Sequence, residues 1–447
     1  MEAATTTALR PAIRPAERRL PPGPPLPRAA QTAIWSRQAR RMLFACHERY
    51  GDMFTVQIAY EGKWVMLADP EAVKQVFTGD PRVFHAGEGN KILAPVLGRN
   101  SVLVLDEKPH MSQRKLLLPP FHGARMQGYE ETMSEIAAAE IGSWPTGTPY
   151  KLRPRMQAMT LEIILRTVFG MREGEGLAEL REALRDFLDL TTNPRMLLPL
   201  VFFGPNRIRR FGPFRRRIER VDALIYREIA QRRHASDVEE RDDVLSMLVG
   251  ARHEEDGSPM GDEEIRDELL TLLVAGHETT ATSLSWAVER LARYPEKLER
   301  LRGEVDDGSD AYLTATIQET LRLRPVISIV VRHLTEPVEI GGYELPAGIG
   351  VTPCVYLVHR NPEVYPEPDR FLPERFLDNP PGTYTWIPFG GGVRRCLGAS
   401  FAQFEMAVVL RELVKRHRIR PANPKPERVF RRAITETPRH DATVILG

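Results

Sequence analysis

The chain has 447 residues, of which 42% are hydrophobic and 27% charged, and its formal net charge is +2. This length fits one large domain or two to three average ones, and the near-neutral charge gives no reason to expect a nucleic-acid partner. The three cysteines, Cys46, Cys354 and Cys396, are too few and too scattered for a disulfide framework, which favours a reducing compartment.

The first residues of the chain differ in composition from the rest. Residues 1–30 are rich in proline, alanine and arginine and contain no apolar run, so they predict neither a secretory signal nor a membrane span. We expect a flexible leader over residues 1–30, a single domain over residues 31–447, and a cytoplasmic protein.

Helical patterning dominates the chain beyond this leader. Residues 53–67 alternate between apolar and polar types and are rich in strand formers, and residues 326–353 contain further short strand signals. The longest helix candidate begins near Asp262 and runs to Tyr294, where Pro295 ends it. The sequence therefore predicts a mainly helical body with a small sheet built from sequence-distant strands.

An apolar stretch at residues 196–203 is followed by a basic run at residues 207–217. Such a charge run is typical of a solvated helix face. The alternative is a mobile lid over an apolar substrate channel, with a cationic rim that touches a membrane surface. The residues by themselves leave both interpretations open.

An acid and two hydroxyls interrupt the apolar part of the longest helix candidate, at residues 275–280. One interpretation is structural, in which the Thr279 hydroxyl bonds back to the preceding turn and bends the helix. The other is functional, in which Gly276 opens the helix wall for a diatomic ligand while Glu278 and Thr279 relay protons to it.

Residues 389–398 hold three successive glycines ahead of Cys396, and a helical pattern follows them. The glycines allow a tight turn beneath a flat cofactor, and the start of a helix favours the thiolate form of a cysteine. Phe389 can cover the sulfur, and Arg394 is a cation for an anionic cofactor edge. The functional interpretation is a thiolate ligand for haem iron, and the alternative is a buried structural cysteine.

This loop resembles the haem-ligand loop of the cytochrome P-450 superfamily, Phe-x-x-Gly-x-Arg-x-Cys-x-Gly, in its soluble bacterial type. All five specified residues are present, from Phe389 to Gly398. The resemblance implies the cytochrome P-450 fold, mainly α with a small β-rich region. It also implies haem b between the long central helix and the loop, with an axial thiolate from Cys396.

Other motifs extend the resemblance. Residues 275–280 are similar to the oxygen-binding groove of the family, which implies an acid role for Glu278 and a hydroxyl role for Thr279, beside Gly276. The pattern of Glu319 and Arg322, three residues apart, is by itself an ordinary surface ion pair. It resembles the Glu-x-x-Arg of the family, which with Arg375 forms a structural triad. The resemblance also implies four ligands of the haem propionates: His110, Arg114, Arg332 and Arg394.

The function implied by the resemblance is a monooxygenase that inserts one oxygen atom from O2 into a hydrophobic molecule, by hydroxylation or epoxidation. Fatty acids, terpenoids and steroid-like molecules are the expected substrates. Electrons are expected from NAD(P)H through a separate ferredoxin and ferredoxin reductase, or a flavodoxin-type donor, and the protein is expected to be a monomer. The expected pocket residues are Ala275, Ile327, Ile329, Val330 and Ile434.

Two alternatives stay open at this point. One is a peroxide-driven or isomerising haem-thiolate enzyme, which needs no electron partner. The other is a haem-based gas or redox sensor, which binds ligands without turnover. A sensor has no need of the pair formed by Glu278 and Thr279, and the same pair weighs against the first alternative.

Overall fold

The computed structural model describes residues 20–59, 61–121, 123–171, 174–192, 211–432 and 434–447. The predicted lid at residues 196–203 lies outside these ranges, as do residues 1–19 of the predicted leader and the first part of the basic run. Everything below refers to the described residues.

Helices make up most of the described chain. In chain order they are α1 (Arg28–Tyr50), α2 (Pro70–Thr78), α3 (Ala86–Gly89), α4 (Ala94–Leu97), α5 (Glu107–Leu117), α6 (Ala124–Gly128), α7 (Glu130–Gly142), α8 (Leu152–Thr167), α9 (Glu175–Thr192), α10 (Gly212–Arg233), α11 (Val244–Gly250), α12 (Asp262–Arg293), α13 (Pro295–Asp306), α14 (Ala311–Leu323), α15 (Val355–Val358), α16 (Arg375–Asp378) and α17 (Ala399–Arg416).

The strands are short and form four small sheets. They are β1 (Met53–Ile58), β2 (Gly62–Leu67), β3 (Phe84–His85), β4 (Pro149–Lys151), β5 (Arg332–Leu334), β6 (Val338–Ile340), β7 (Tyr343–Leu345), β8 (Gly350–Pro353), β9 (Ile419–Pro421), β10 (Val429–Arg432), β11 (Thr435–Pro438) and β12 (Thr443–Leu446). The largest sheet has the order β1-β2-β8-β5-β3, and β2 and β8 pair in parallel. The predicted small sheet from sequence-distant strands is thus confirmed.

Helix α12 is the central element of the fold. It has 32 residues, three acids in its first turn, where negative charge is favourable, and it ends before Pro295, as predicted. It contacts α8, α10, α14 and α17, and most of its side chains are buried. The main hydrophobic core is therefore arranged around one long helix.

The segment ahead of α1 is anchored to the first strand. The carbonyls of Pro21 and Pro22 accept hydrogen bonds from the hydroxyl and the N–H of Thr55, at 2.7 and 2.9 Å. Helix α1 then begins at Arg28, inside the segment 1–30 that was predicted as a flexible leader. Among the described residues, no helix is long and apolar enough to cross a membrane.

A buried ionic cluster joins α14 to the chain that leads into the cysteine loop. The Arg322 guanidinium donates to both carboxylate oxygens of Glu319, at 2.6 and 2.8 Å, and Arg375 donates to the same carboxylate at 3.3 Å. Arg322 also donates to the carbonyls of three residues of the segment that follows: His359, Pro368 and Arg370. Since the side chains of Glu319 and Arg322 are fully buried, this is not a surface ion pair.

We predict that Glu319→Gln lowers the free energy of unfolding by about 3–5 kcal/mol, because it leaves the buried guanidinium of Arg322 without its counter-charge. Urea unfolding followed by circular dichroism measures the change. The matched control is Glu71→Gln, which removes the exposed partner of Lys74 at the same spacing and should change the free energy by less than about 1 kcal/mol. Equal losses in the two variants would contradict the prediction.

Candidate active site

The loop at residues 389–398 is shaped by its glycines. Gly390 and Gly392 have φ angles of +66° and +65°, which residues with a side chain rarely adopt. A Cβ atom at Gly392 would also lie 1.9 Å from the carbonyl oxygen of Phe77. The N–H of Cys396 donates to the Phe389 carbonyl at 3.0 Å and closes the loop.

A histidine connects this loop to the buried ionic cluster. The Ile387 N–H, two residues before Phe389, donates to Nε2 of His359 at 2.8 Å, while the His359 carbonyl accepts from Arg322 at 2.9 Å. Burial keeps the pKa of His359 well below its usual value, so the ring stays neutral and can accept this bond. Sequence analysis missed His359, because its partners lie far away along the chain.

Cys396 is an exposed residue, yet burial raises the pKa of its thiol. An exposed side chain that is still desolvated faces an enclosed space within the protein. The Gly398 N–H at the helix start opposes this shift, as expected, and so do Arg114 and Arg395. A metal cation bound at this sulfur would favour the thiolate, because coordination deprotonates a thiol.

One face of α12 carries an accessible stripe in the middle of the fold. Leu272, Ala275 and Thr279 lie three and four residues apart, on the same side of the helix, and all three retain exposed surface. Because most of α12 is buried among other helices, these three residues form an accessible stripe on an otherwise buried helix. The Thr279 hydroxyl donates to the Ala275 carbonyl at 2.6 Å, which is the hydrogen bond to the preceding turn that the structural interpretation expects. Thr279 also lies on the accessible face of α12, as the functional interpretation requires.

Glu278 lies on another side of α12, buried against α8. Its carboxylate accepts a hydrogen bond from the Gln157 amide and lies 3.4 Å from the Arg153 guanidinium. Burial raises the pKa of Glu278, and Arg153 is the strongest opposing influence. Arg153 in turn donates to Asp441 at 2.9 Å. Sequence analysis missed Arg153, Gln157 and Asp441, for which the sequence contains no local signal.

Gly276 also faces α8. A Cβ atom there would lie 3.2 Å from Cδ1 of Ile164, so the missing side chain allows α8 and α12 to approach closely. This contact is a structural reason for glycine at position 276, and the role of Gly276 beside a diatomic ligand stays a prediction.

Four predicted side chains meet at one edge of the site. Burial lowers the pKa of His110 to about 3, and Arg394, Arg114 and Arg332 lower it further by their charge. Burial also lowers the pKa of Arg332 and of Arg394 to about 10. Among the described residues, one carboxylate, that of Asp106, forms an ion pair within this group, with Arg394. Three cations that share one acid suit an anionic ligand with carboxylates.

The predicted pocket residues differ in how much surface they expose. Ala275 is exposed, and Ile434, at the turn between β10 and β11, is 50% exposed. Ile327, Ile329 and Val330 are half-buried. Val330 lies beside the loop, since a Cβ atom at Gly390 would be 3.9 Å from its Cγ1. Phe389 is half-buried and packs edge-on against Trp386, with ring centres 6.1 Å apart.

The chemical types of these residues suit a haem: a sulfur ligand for the iron and cations for its carboxylates. Cys396 offers a sulfur ligand towards an enclosed space, and the glycine turn that presents it tolerates no side chain at Gly392. The cations Arg114, Arg332 and Arg394 carry more positive charge than Asp106 neutralises, as two propionates require.

Comparison with known proteins agrees with this fit. The sequence profile of the cytochrome P-450 family matches residues 21–443. Cytochrome P-450 135B1 of Mycobacterium tuberculosis is 45% identical over 431 residues, which cover 95% of this chain and 91% of that protein. Cytochrome P-450 135A1 of the same species is 41% identical over 425 residues, with 95% and 94% covered. A solved cyanobacterial cytochrome P-450 with retinoic acid bound superposes with a TM-score of 0.85 at 23% identity, covering 96% of this chain and 100% of that one.

The fold is that of the haem-thiolate monooxygenases, so the predicted fold class is confirmed. The chain belongs to the cytochrome P-450 family. Members of this family bind haem through a cysteine thiolate and receive electrons from redox partners.

We predict that Cys396→Ser removes the strongly red-shifted Soret band of the reduced, carbon monoxide-bound protein, because serine supplies no thiolate to iron. Absorption spectroscopy at matched haem content measures the band. Cys46→Ala is the control, since Cys46 lies on α1, is buried in the hydrophobic core and should leave the band in place. An unchanged spectrum in Cys396→Ser would remove Cys396 as the ligand.

A second prediction concerns His277, the residue before Glu278. Its Nε2 lies 3.0 Å from the Gln157 carbonyl, and burial lowers its pKa to about 4. An unfolded histidine titrates near pH ~6.5, so between these values only the unfolded chain binds the additional proton. The contribution of His277 to the free energy of unfolding is complete above pH ~6.5 and decreases as the pH falls towards 4.

Urea unfolding at neutral pH and near pH ~5 measures this loss. His277→Gln should lose less stability than the wild type between the two conditions, because glutamine does not titrate. The difference between the two proteins isolates His277 from the other groups that titrate in this range. An equal loss in both proteins would contradict the prediction.

Proposed function

We propose that this monooxygenase inserts one oxygen atom from O2 into a C–H or C=C bond of a hydrophobic small molecule, such as a fatty acid, terpenoid or steroid-like molecule. The observation that carries this proposal is the accessible stripe of α12, from which we infer a substrate cavity beside Leu272, Ala275 and the Thr279 hydroxyl. Apolar walls of this kind favour an apolar ligand. Ile327, Ile329, Val330 and Ile434 are the further pocket residues.

Cys396 is the proposed iron ligand, and His110, Arg114, Arg332 and Arg394 hold the propionates. A haem held through the Cys396 sulfur would supply the activation of O2. The task of the chain is to orient the substrate, exclude bulk water and deliver protons.

Thr279 and Glu278 form the proposed proton relay. The Thr279 hydroxyl lies in the cavity and can hold a proton donor in place, with its own hydrogen on the Ala275 carbonyl. Glu278 faces α8, and its raised pKa favours the protonated form that can donate. Its carboxylate reaches the cavity by rotation of its side chain or through a bridging water.

A polar route connects Glu278 to the protein surface. Arg153 contacts both Glu278 and Asp441, at 3.4 and 2.9 Å. The Asp441 carboxylate also lies 3.5 Å from Nζ of Lys151, whose side chain is 66% exposed. We therefore place the re-protonation of Glu278 on the side of α8 and β12, away from the substrate.

Electrons come in this proposal from NAD(P)H through a separate ferredoxin and ferredoxin reductase, or a flavodoxin-type donor. Arg395, next to Cys396, is exposed, and with Arg114 it makes the protein near the sulfur cationic. Such a surface suits an acidic electron donor. We expect the protein to act as a monomer in this exchange.

We predict that Thr279→Ala uncouples the reaction, so that the product formed per NAD(P)H consumed falls by about tenfold. This corresponds to ~1.4 kcal/mol in the difference between the barriers to product formation and to peroxide release. Peroxide release should rise, and substrate affinity should stay the same. Both are measured with a substrate selected by its shift of the Soret band. The control is Ser283→Ala, one turn further along α12, whose hydroxyl donates to the Thr279 carbonyl at 2.9 Å and takes no part in the relay. Unchanged coupling in Thr279→Ala would count against the relay.

A further inference from the structure

One stretch of chain connects α12 to the edge of the site where the propionate cations meet. Residues 98–106, here called the strap, lie between α4 and α5. The Arg394 guanidinium donates to two strap carbonyls, those of Val102, at 3.1 Å, and Leu105, and it forms its ion pair with Asp106. The strap therefore fixes the position of Arg394 and leaves part of its guanidinium fork for a propionate.

The strap is also bound to the first half of α12. The Asp267 carboxylate accepts hydrogen bonds from the N–H and the side-chain amide of Asn100, at 2.9 and 3.0 Å. The Thr271 hydroxyl lies 2.7 Å from the hydroxyl of Ser101. Because Asp267, Thr271 and Ser101 are buried, these bonds are shielded from water and hold the strap against the helix.

Glu268, the residue after Asp267 on α12, holds the middle of the strap. Its Oε1 accepts a hydrogen bond from the Val102 N–H at 2.8 Å. Among the described residues, its Oε2 has no hydrogen-bond partner. Burial raises the pKa of Glu268 well above its ordinary value, the Val102 N–H opposes this shift, and the charges of Asp267 and Glu264 add to it. The neutral form is therefore favoured, so Glu268 acts on the strap through a hydrogen bond rather than a charge.

Val102 joins Glu268 to Arg394 within a single residue. Its N–H donates to Glu268 at 2.8 Å, and its carbonyl accepts from Arg394 at 3.1 Å. Val102 is itself buried, so loss of the Glu268 acceptor leaves a buried N–H unsatisfied, which is unfavourable. The strap then gains by moving away from α12, and Arg394 moves with the carbonyls that it binds.

We propose that Glu268 is a positioning residue for the haem: through Val102 it holds Arg394 beside a propionate and so raises the reduction potential of the iron. This inference rests on the proposed role of Arg394 in haem binding. A positive charge fixed beside the haem favours the reduced form, because it stabilises the added electron. A loosened strap weakens this effect, since Arg394 no longer keeps one position.

The test uses the full-length haem-loaded protein and the variant Glu268→Leu, which removes the acceptor of the Val102 N–H. Amide hydrogen exchange of strap peptides measures release of the strap, and a spectroelectrochemical titration measures the reduction potential. We expect faster exchange over residues 98–106 and an equilibrium constant for reduction that falls by about threefold, or about 28 mV for one electron. Glu268→Gln keeps the acceptor oxygen and should remain close to the wild type in both measurements.

A second variant loosens the strap from its own side. Asn100→Ala removes the side-chain bond to Asp267, and it decides the question if Glu268→Leu does not fold. It should accelerate exchange of the strap and lower the potential in the same direction, by a smaller amount. The control is Ser285→Ala, which removes a buried hydroxyl of α12 that donates to the Ala281 carbonyl at 2.6 Å and should change neither quantity.

The inference is wrong if the strap exchanges faster in Glu268→Leu or Asn100→Ala while the potential stays that of the wild type. It is also wrong if Glu268→Gln lowers the potential as much as Glu268→Leu, or if exchange of the strap is unchanged in both strap variants, since α12 then does not hold it. The reduced, carbon monoxide-bound spectrum of each variant separates these outcomes from loss of the thiolate ligand. None of these measurements depends on turnover of a substrate, so failure of the proposed monooxygenase reaction is recognised separately.

Discussion

The bidentate pair of Glu319 and Arg322 is the interaction on which the rest of the site depends. Two charges without exposed surface are stable only while each has the other and every remaining donor has an acceptor. Arg322 meets this condition by binding carbonyls of the segment that follows α15, including that of His359. His359 then fixes the chain at Ile387, just before the cysteine loop. A charge pair far from the sulfur in sequence thus decides where Cys396 lies.

A second constraint is the unequal distribution of charge between the structural and the proposed binding parts of the molecule. The charges of Glu319 and Arg322 neutralise each other within one buried ion pair. The cations around His110 exceed the acids beside them. Positive charge that is desolvated and incompletely paired raises the free energy of the protein alone. Binding of an anion beside it lowers that free energy. We interpret the excess around His110 as the place of the propionates.

Helix α12 separates two tasks by its geometry. Successive residues point about 100° apart around a helix, so Glu278 and Thr279 are adjacent in sequence but face different surroundings. Thr279 reaches the cavity, whereas Glu278 is held by Arg153 and Gln157 of α8. Burial on the α8 side raises the pKa of Glu278 and so favours its protonated form, while the side of α12 that carries Thr279 stays apolar. Proton supply and substrate binding are therefore kept on different faces of one element.

The sequence by itself determined the helical fold, the bounds of α12, the small sheets and the identity of the loop, because periodicity, glycine and proline signals and a short motif are all local. It also singled out Glu319, Arg322 and Arg375, which the structure brings together. Only the tertiary structure decided that Gly276 packs against Ile164, that burial raises the pKa of Cys396, and that Arg153 and His359 hold Glu278 and the cysteine loop. These outcomes depend on contacts between distant segments and on desolvation, which no local pattern contains.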